Sequence, residues 1–271
     1  MSTLVKTEWL KIRKYRAFWW VIGITALSYP GINYILHSFY ENLITRKGQA
    51  GTLAKALIGN PFSFPEVWHT VAYSSSIFVF IPAVVVIMFI TNEYTYKTHR
   101  QNIVDGWSRR QFMTSKMLDV LLVSLLITAL YVIVALITGF SNSNETNTDK
   151  WSLIYYAGLF SLQTFAQLSL AFLTGFLVRK AFMALGIFLF YFLVLEPIFV
   201  GILKVKANDI GRFLPLAISN RLIPVPAFIG KIDIDAYHKS LAAINTHIVY
   251  TFLLLGIIWL ICFRINSKRD L

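Results

Sequence analysis

The chain is poor in charge. Asp, Glu, Lys and Arg make up 14% of its 271 residues, where soluble domains carry about 25%. A water-soluble fold of this length could not cover its surface with so few charges. A single cysteine, Cys262, excludes an internal disulfide, a CxxC pair and a cysteine-built metal site. No GxxxxGK[ST] is present, so this sequence carries no phosphate-binding P-loop, and no HExxH occurs. The histidines His37, His69, His99, His238 and His247 are scattered and form no pair at metal-ligand spacing. Nothing in the sequence reads as a catalytic set, and no metal or cofactor is expected on this chain.

Apolar residues are abundant instead, at 56%, with 22 Phe, 13 Tyr and 7 Trp. Mean hydropathy is +0.62. These values indicate an integral membrane protein. The expected fold class is an all-α polytopic membrane protein with six transmembrane helices. The expected crossings are Ala17–Leu36, Thr70–Ile90, Leu118–Thr138, Ser152–Val178, Ala181–Leu203 and Ile244–Phe263. Each reaches the roughly 20 residues a helix needs to cross a bilayer. Long continuous apolar runs of this kind favour helices over alternating barrel strands.

Net charge is +12. In this context it points to the anionic cytoplasmic leaflet and membrane lipids, not to nucleic acid. With both termini inside, the cytoplasmic pieces carry 15 Lys/Arg in 52 residues and the outer pieces 10 in 86. The bias places both ends in the cytoplasm. The outer loop 204–243, with its six Lys/Arg, fits that orientation least well.

Three segments lie outside the crossings. Residues 1–16 read as an interfacial amphipathic helix, with Leu4, Val5, Trp9, Ile12 and Tyr15 on one face and Lys6, Arg13 and Lys14 on the other. Glu8 falls on the apolar face and requires a basic partner elsewhere in the fold. The loop 91–116 reads as a short helix over Thr95–Val104, a hinge at Asp105-Gly106, and a helix capped by Ser108 and Gln111 that runs into the third crossing. Segment 204–243 is broken by Pro215, Pro224 and Pro226 and reads as short re-entrant or interfacial helices before the last span. The domain layout is therefore 1–16, a transmembrane domain at 17–263, and a cytoplasmic tail at 264–271.

Few ionisable groups fall within apolar segments. Glu196, next to Pro197, either lines a path or marks where the fifth helix breaks. Tyr73 and Ser76 are further candidates for a substrate path, and polar helix packing accounts for the neighbouring serines. Asp119 is expected to pair with Lys116 or with a basic residue of the N-terminal helix.

The topology and the loop together resemble the permease subunits of ABC-2 type export transporters. Four features of the loop carry the likeness: Glu93 after the second crossing, Thr98-His99-Arg100, the turn Gly106-Trp107-Ser108-Arg109, and Lys116 before the third crossing. Asp105 stands in a turn that often holds proline. The resemblance implies a bacterial inner-membrane permease working as a dimer, with a second copy or a related permease. A separate pair of ATP-binding subunits would hold ATP and Mg. Coupling to them would fall to Glu93, Thr98, Arg100, Asp105, Ser108, Arg109 and Lys116, with Glu8, Trp9 and Arg13 in the N-terminal helix. Glu93 is expected to brace the loop against a basic residue of that helix. The substrate would be amphipathic or apolar. Two other readings stay open: a non-transporting assembly or anchoring subunit, and a proton-coupled secondary transporter using Glu196.

Overall fold

The computed structural model describes residues 13–45, 59–104, 106–143, 149–206, 208–230 and 233–268. The expected helix over 1–16, with Glu8 and Trp9, therefore lies almost wholly outside the described residues, as does Asp105. The regular elements among the described residues are all helices, with no strand.

Among the described residues, four helices are long and apolar enough to cross a membrane: α5 (Arg109–Asn142), α6 (Tyr155–Val178), the continuous stretch Ala181–Lys206, and α12 (Ile244–Lys268). A bent pair, α2 (Val67–Ser76) and α3 (Phe80–Thr95), would make a fifth. The first long helix, α1 (Arg16–Ile44), has 29 residues. At 1.5 Å per residue it has ample length, but Trp19, Trp20, Tyr29, Tyr34 and Pro30 dilute its apolarity.

The second expected crossing is not the continuous helix that its composition suggests. It bends by 51° between α2 and α3. Pro82 explains the position of the break. Starting α3 at Phe80 puts Pro82 in its first turn, where a missing N–H costs nothing. On the other side, Ser76 turns its hydroxyl onto the Tyr73 carbonyl at 2.7 Å.

α6 occupies the centre and packs on α2, α3, α5, α7 (Ala181–Phe190), α9 (Pro215–Asn220) and α12. Its approach to α3 is close because Gly175 has no side chain: a Cβ there would meet Ile90 Cγ2 at 2.6 Å. Such small residues let helix backbones approach closely where lipid supplies no hydrophobic driving force. α6 ends at Val178. Arg179 turns the chain with φ +60°, Lys180 is extended, and α7 starts at Ala181, so the two residues left between the fourth and fifth expected crossings form a tight hairpin turn.

The fifth expected crossing does not stop at Glu196-Pro197. α7 passes through a π turn, Tyr191–Leu195, into α8 (Glu196–Lys206). In that turn the Glu196 amide reaches back five residues to the Tyr191 carbonyl. The wider turn accommodates a proline, which can neither donate nor tolerate the regular spacing. The segment before the last long helix then forms a 3₁₀ turn (Ile210–Phe213), α9, α10 (Ala227–Gly230) and α11 (Ile234–Ala242) among its described residues.

The two ends of the bundle are distinct. At one end, Tyr15 and Phe18 at the start of α1 pack on Phe89 of α3, each at 5.9 Å between ring centres. Asn266, near the end of α12, donates to the Arg109 carbonyl at the start of α5 at 2.9 Å. At the opposite end, His37 meets Asn142 at 2.8 Å and the Trp68 indole donates to the Lys150 carbonyl at 3.0 Å.

Candidate functional site

The short helix α4 (Thr98–Val104) connects α3 to α5. It begins three residues later than the loop pattern predicts, because α3 continues to Thr95 and Lys97 turns the chain with φ +56°. Gly106, with φ +95°, makes the second turn. Ser108 then caps α5 with the expected reciprocal pair: Gln111 N donates to Ser108 Oγ at 3.2 Å, and Ser108 N donates to Gln111 Oε1 at 2.8 Å. With 34 residues, α5 is about 51 Å long, well beyond the roughly 30 Å hydrocarbon core.

Glu93 joins these pieces. Its carboxylate accepts from Lys116 Nζ at 2.8 Å, with both side chains buried. Its second oxygen accepts from the Thr98 hydroxyl. Its carbonyl accepts from His99 Nδ1 at 2.9 Å. Lys116 also reaches Asp119 Oδ2 at 3.4 Å. Glu93 thus ties the end of α3 to the start of α5 and holds the first two residues of α4 against that base. The expected pairing of Asp119 with Lys116 is present. For Glu93, the basic partner seen among the described residues is Lys116 of α5; most of the N-terminal helix expected to supply one lies outside them.

α4 has two unlike faces. His99 and Ile103, one turn apart, are half-buried, while Arg100, Gln101 and Val104 are exposed. Val104 is 85% exposed and Tyr96, just before the helix, 73%. Behind α4 is a cavity of about 450 Å³ lined by both links at this end. Lys97, His99 and Arg100 come from the α4 region, Arg109 from α5, and Arg179 and Lys180 from the α6–α7 turn. Arg179 lies over the Tyr94 ring at 4.8 Å, and Arg109 donates to the Ser267 carbonyl at 2.8 Å.

Of the remaining candidates, Arg13 is exposed and its carbonyl accepts from the Trp19 indole at 3.0 Å. Tyr73 and Ser76 sit at the bend that ends α2. Glu196 is buried at the π turn, and its Oε1 accepts from the Ala217 amide at 2.6 Å. The bend and the π turn approach each other: the rings of Phe80 and Phe192 are 6.0 Å apart. Among the described residues, no group of three His, Cys, Asp or Glu is placed to hold a metal ion.

The family described as ABC-2 family transporter protein matches residues 4–195. The chain belongs to this family. The match covers α1 to the π turn and includes α4, Glu93, Lys116 and the Arg179-Lys180 turn. It stops one residue short of Glu196. No curated protein matches the chain.

Two features of this ABC-2 family member escaped the sequence reading. Arg179 and Lys180 line the cavity behind α4, and nothing local in the sequence shows that their turn faces it. Gln163 and Gln167 of α6 both donate to Asn220 Oδ1 of α9, at 3.0 and 2.7 Å. Their spacing of four in an apolar run was a legible signal of a shared polar face.

Proposed function

We propose that the chain is the permease subunit of an ATP-driven exporter. In this reading it crosses the membrane six times with both termini in the cytoplasm, and it pairs with a second copy or a related permease. A separate pair of ATP-binding subunits docks beneath α4. The first and last long helices begin and end at the same end of the bundle, which supports an even number of crossings. α1 supplies one of them, and its exposed Trp19, Trp20 and Tyr34 suit membrane interfaces.

One observation carries the mechanism. α4 is held to Glu93, and Glu93 is held to Lys116. Closure of the ATP-binding pair against α4 is therefore transmitted to α3 and α5 together, and through the Gly175 contact to α6. Arg100 and Val104, exposed on the same side of α4, are the contacts offered to the partner. The Arg100 guanidinium can pair with a carboxylate in a forked geometry, and Val104 adds an apolar anchor. The bend at Tyr73–Ser76 and the π turn at Glu196 flank the candidate path for an amphipathic or apolar substrate moving outward. π turns recur at functional sites because their strain survives only where something depends on it.

The deciding experiment is co-purification with an ATP-binding subunit encoded beside this gene, with ATP turnover and substrate export measured with and without the permease. A stable complex whose ATP turnover responds to the permease is expected. A complex without export would leave an anchoring subunit. Export driven by a pH gradient without ATP would leave a secondary transporter.

Orientation has its own test. In a Cys262→Ala background, an impermeant thiol reagent added to intact cells should label Asp149→Cys and spare Gln101→Cys. Labelling at position 101 would overturn the inward placement of α4.

A further inference from the structure

Asn220, the last residue of α9, is exposed, yet it lies well below the end of the bundle. Its Oδ1 accepts from Gln163 and Gln167, which stand about 12 and 18 Å along α6 from Tyr155 at 1.5 Å per residue. Glu196, which holds the Ala217 amide of α9, is about 15 Å from the end of its own helix at Lys206. At such depth an exposed polar side chain is costly against lipid. A short broken helix is tolerated there where it is covered by protein or lines water. Arg221, next in the chain, is also partly exposed and pairs with Asp209 at 2.7 Å. The open side of α9 therefore suits water better than acyl chains.

Beneath Asn220 the two glutamines are half satisfied. Both are 1% exposed. Each gives its amide nitrogen to Asn220, while Gln163 Oε1 and Gln167 Oε1 are buried with no hydrogen-bond partner. Thr164, on the same face of α6, has an unpartnered buried hydroxyl as well. Thr25, Thr128, Thr174 and Thr251 instead return theirs to a carbonyl of their own helix. A buried acceptor without a donor has lost its hydration and gained nothing in exchange. The group now seated on the glutamines is itself a side-chain amide, borne by an exposed residue at the end of a six-residue helix. Another amide fits the same place. It accepts from the glutamine nitrogens as Asn220 does, and its N–H groups can serve the free oxygens. Because an amide both donates and accepts, it matches either orientation of the glutamine side chains.

We propose that Gln163 and Gln167 form a binding site for an uncharged amide group of the transported molecule, and that Asn220, open to water on the outer side, occupies the site with its own amide until the ligand replaces it. The exchange releases the end of α9 from α6, so an amide-bearing substrate loosens the segment before α12 as it passes. Transport and the outer side rest on the permease reading. Binding by the isolated chain needs neither ATP nor a partner, so the two can fail separately.

The test is native mass spectrometry of the full-length protein in detergent with two neutral probes of equal acyl length, N-dodecanoylglycinamide and methyl dodecanoate. Asn220→Ala, which removes the internal competitor, should retain the amide at least about fivefold better than wild type does, the gain expected of one net hydrogen bond. Its retention of the ester should not change. Gln163→Leu with Gln167→Leu should lower amide retention to the ester level while melting near wild type, because an apolar side chain of similar size replaces a half-paired amide. Equal retention of the two probes by Asn220→Ala would overturn the proposal, and that change alters an exposed residue alone. An amide preference that survives in the double leucine variant would overturn it as well. Access is read in intact cells in the Cys262→Ala background. An impermeant thiol reagent should label Asn220→Cys and spare Phe252→Cys, an exposed apolar position about 12 Å along α12 from Ile244. Absence of label at position 220 would overturn the open outer face. An oxidative crosslink between two copies through position 220 would assign that face to a permease pair instead.

Discussion

Lys116→Met should be the most damaging single substitution at the α4 end, costing about 3–5 kcal/mol of stability. That is the usual loss when one partner of a buried ion pair is removed. Lys116 is held between Glu93 at 2.8 Å and Asp119 at 3.4 Å. Methionine preserves most of the volume but leaves two carboxylates near each other with their shared cation gone. Glu93→Gln should cost less, because its one amide oxygen can still accept from Lys116, its NH2 can donate to the Thr98 hydroxyl, and Lys116 keeps Asp119. The pair should be non-additive: in the Lys116→Met background, Glu93→Gln should restore part of the lost stability by removing one of the two carboxylates that Lys116 bridged. The measurement is the thermal midpoint of the four proteins in one detergent. A Lys116→Met protein that melts with wild type would sink the view that this pair holds the base of α4. Function should divide differently. Glu93→Gln should still assemble with the ATP-binding subunits and permit ATP hydrolysis, while export falls, because the link from α4 into α3 and α5 is weakened but the docking face is intact.

Replacing residues 98–104 with a Gly/Ser linker of equal length should reduce pull-down of the ATP-binding subunits at least about tenfold. The linker removes Arg100 and Val104, the two exposed side chains we assign to the docking contact, and it removes the hydrogen bonds of Thr98 and His99 to Glu93. A tenfold loss corresponds to about 1.4 kcal/mol. One buried side chain and one forked ion pair supply at least that much. The Lys116–Glu93 pair itself is retained, so the permease should fold with a midpoint near that of wild type. Arg100→Glu tests the contact at finer grain. It should weaken the complex, and reversing the matching acid on the partner should restore it in part. If the linker variant assembles, hydrolyses ATP and exports like wild type, α4 is a passive connector and the proposed mechanism fails.

Much of this architecture was legible before any coordinates. Scarce charge and long apolar runs require helices in a membrane, because a backbone in lipid must satisfy its hydrogen bonds within its own segment. The Ser108–Gln111 cap and the two-residue turn at Arg179-Lys180 were also readable, since each depends on residues a few positions apart. Likewise, Asp119 lies three residues from Lys116, within reach on one helix face.

What the sequence could not determine depended on which helix faces which. Glu93 and Lys116 are 23 residues apart, and they meet only because Lys97 and Gly106 turn the chain back on itself. Arg179 and Lys180 join the cationic cavity only because α6 lies against α3, through Gly175 and Ile90. The break between α2 and α3 and the π turn at Glu196 each follow from a proline that the sequence displays. Whether a proline ends a helix, bends it or is absorbed by a wider turn is decided by the neighbours that can satisfy the freed backbone groups. Composition and local spacing therefore determined the class, the segments and the caps. Tertiary packing decided which charges are paired, where the helices yield and what surrounds α4, because ion pairs and cavities are made by residues distant in the chain.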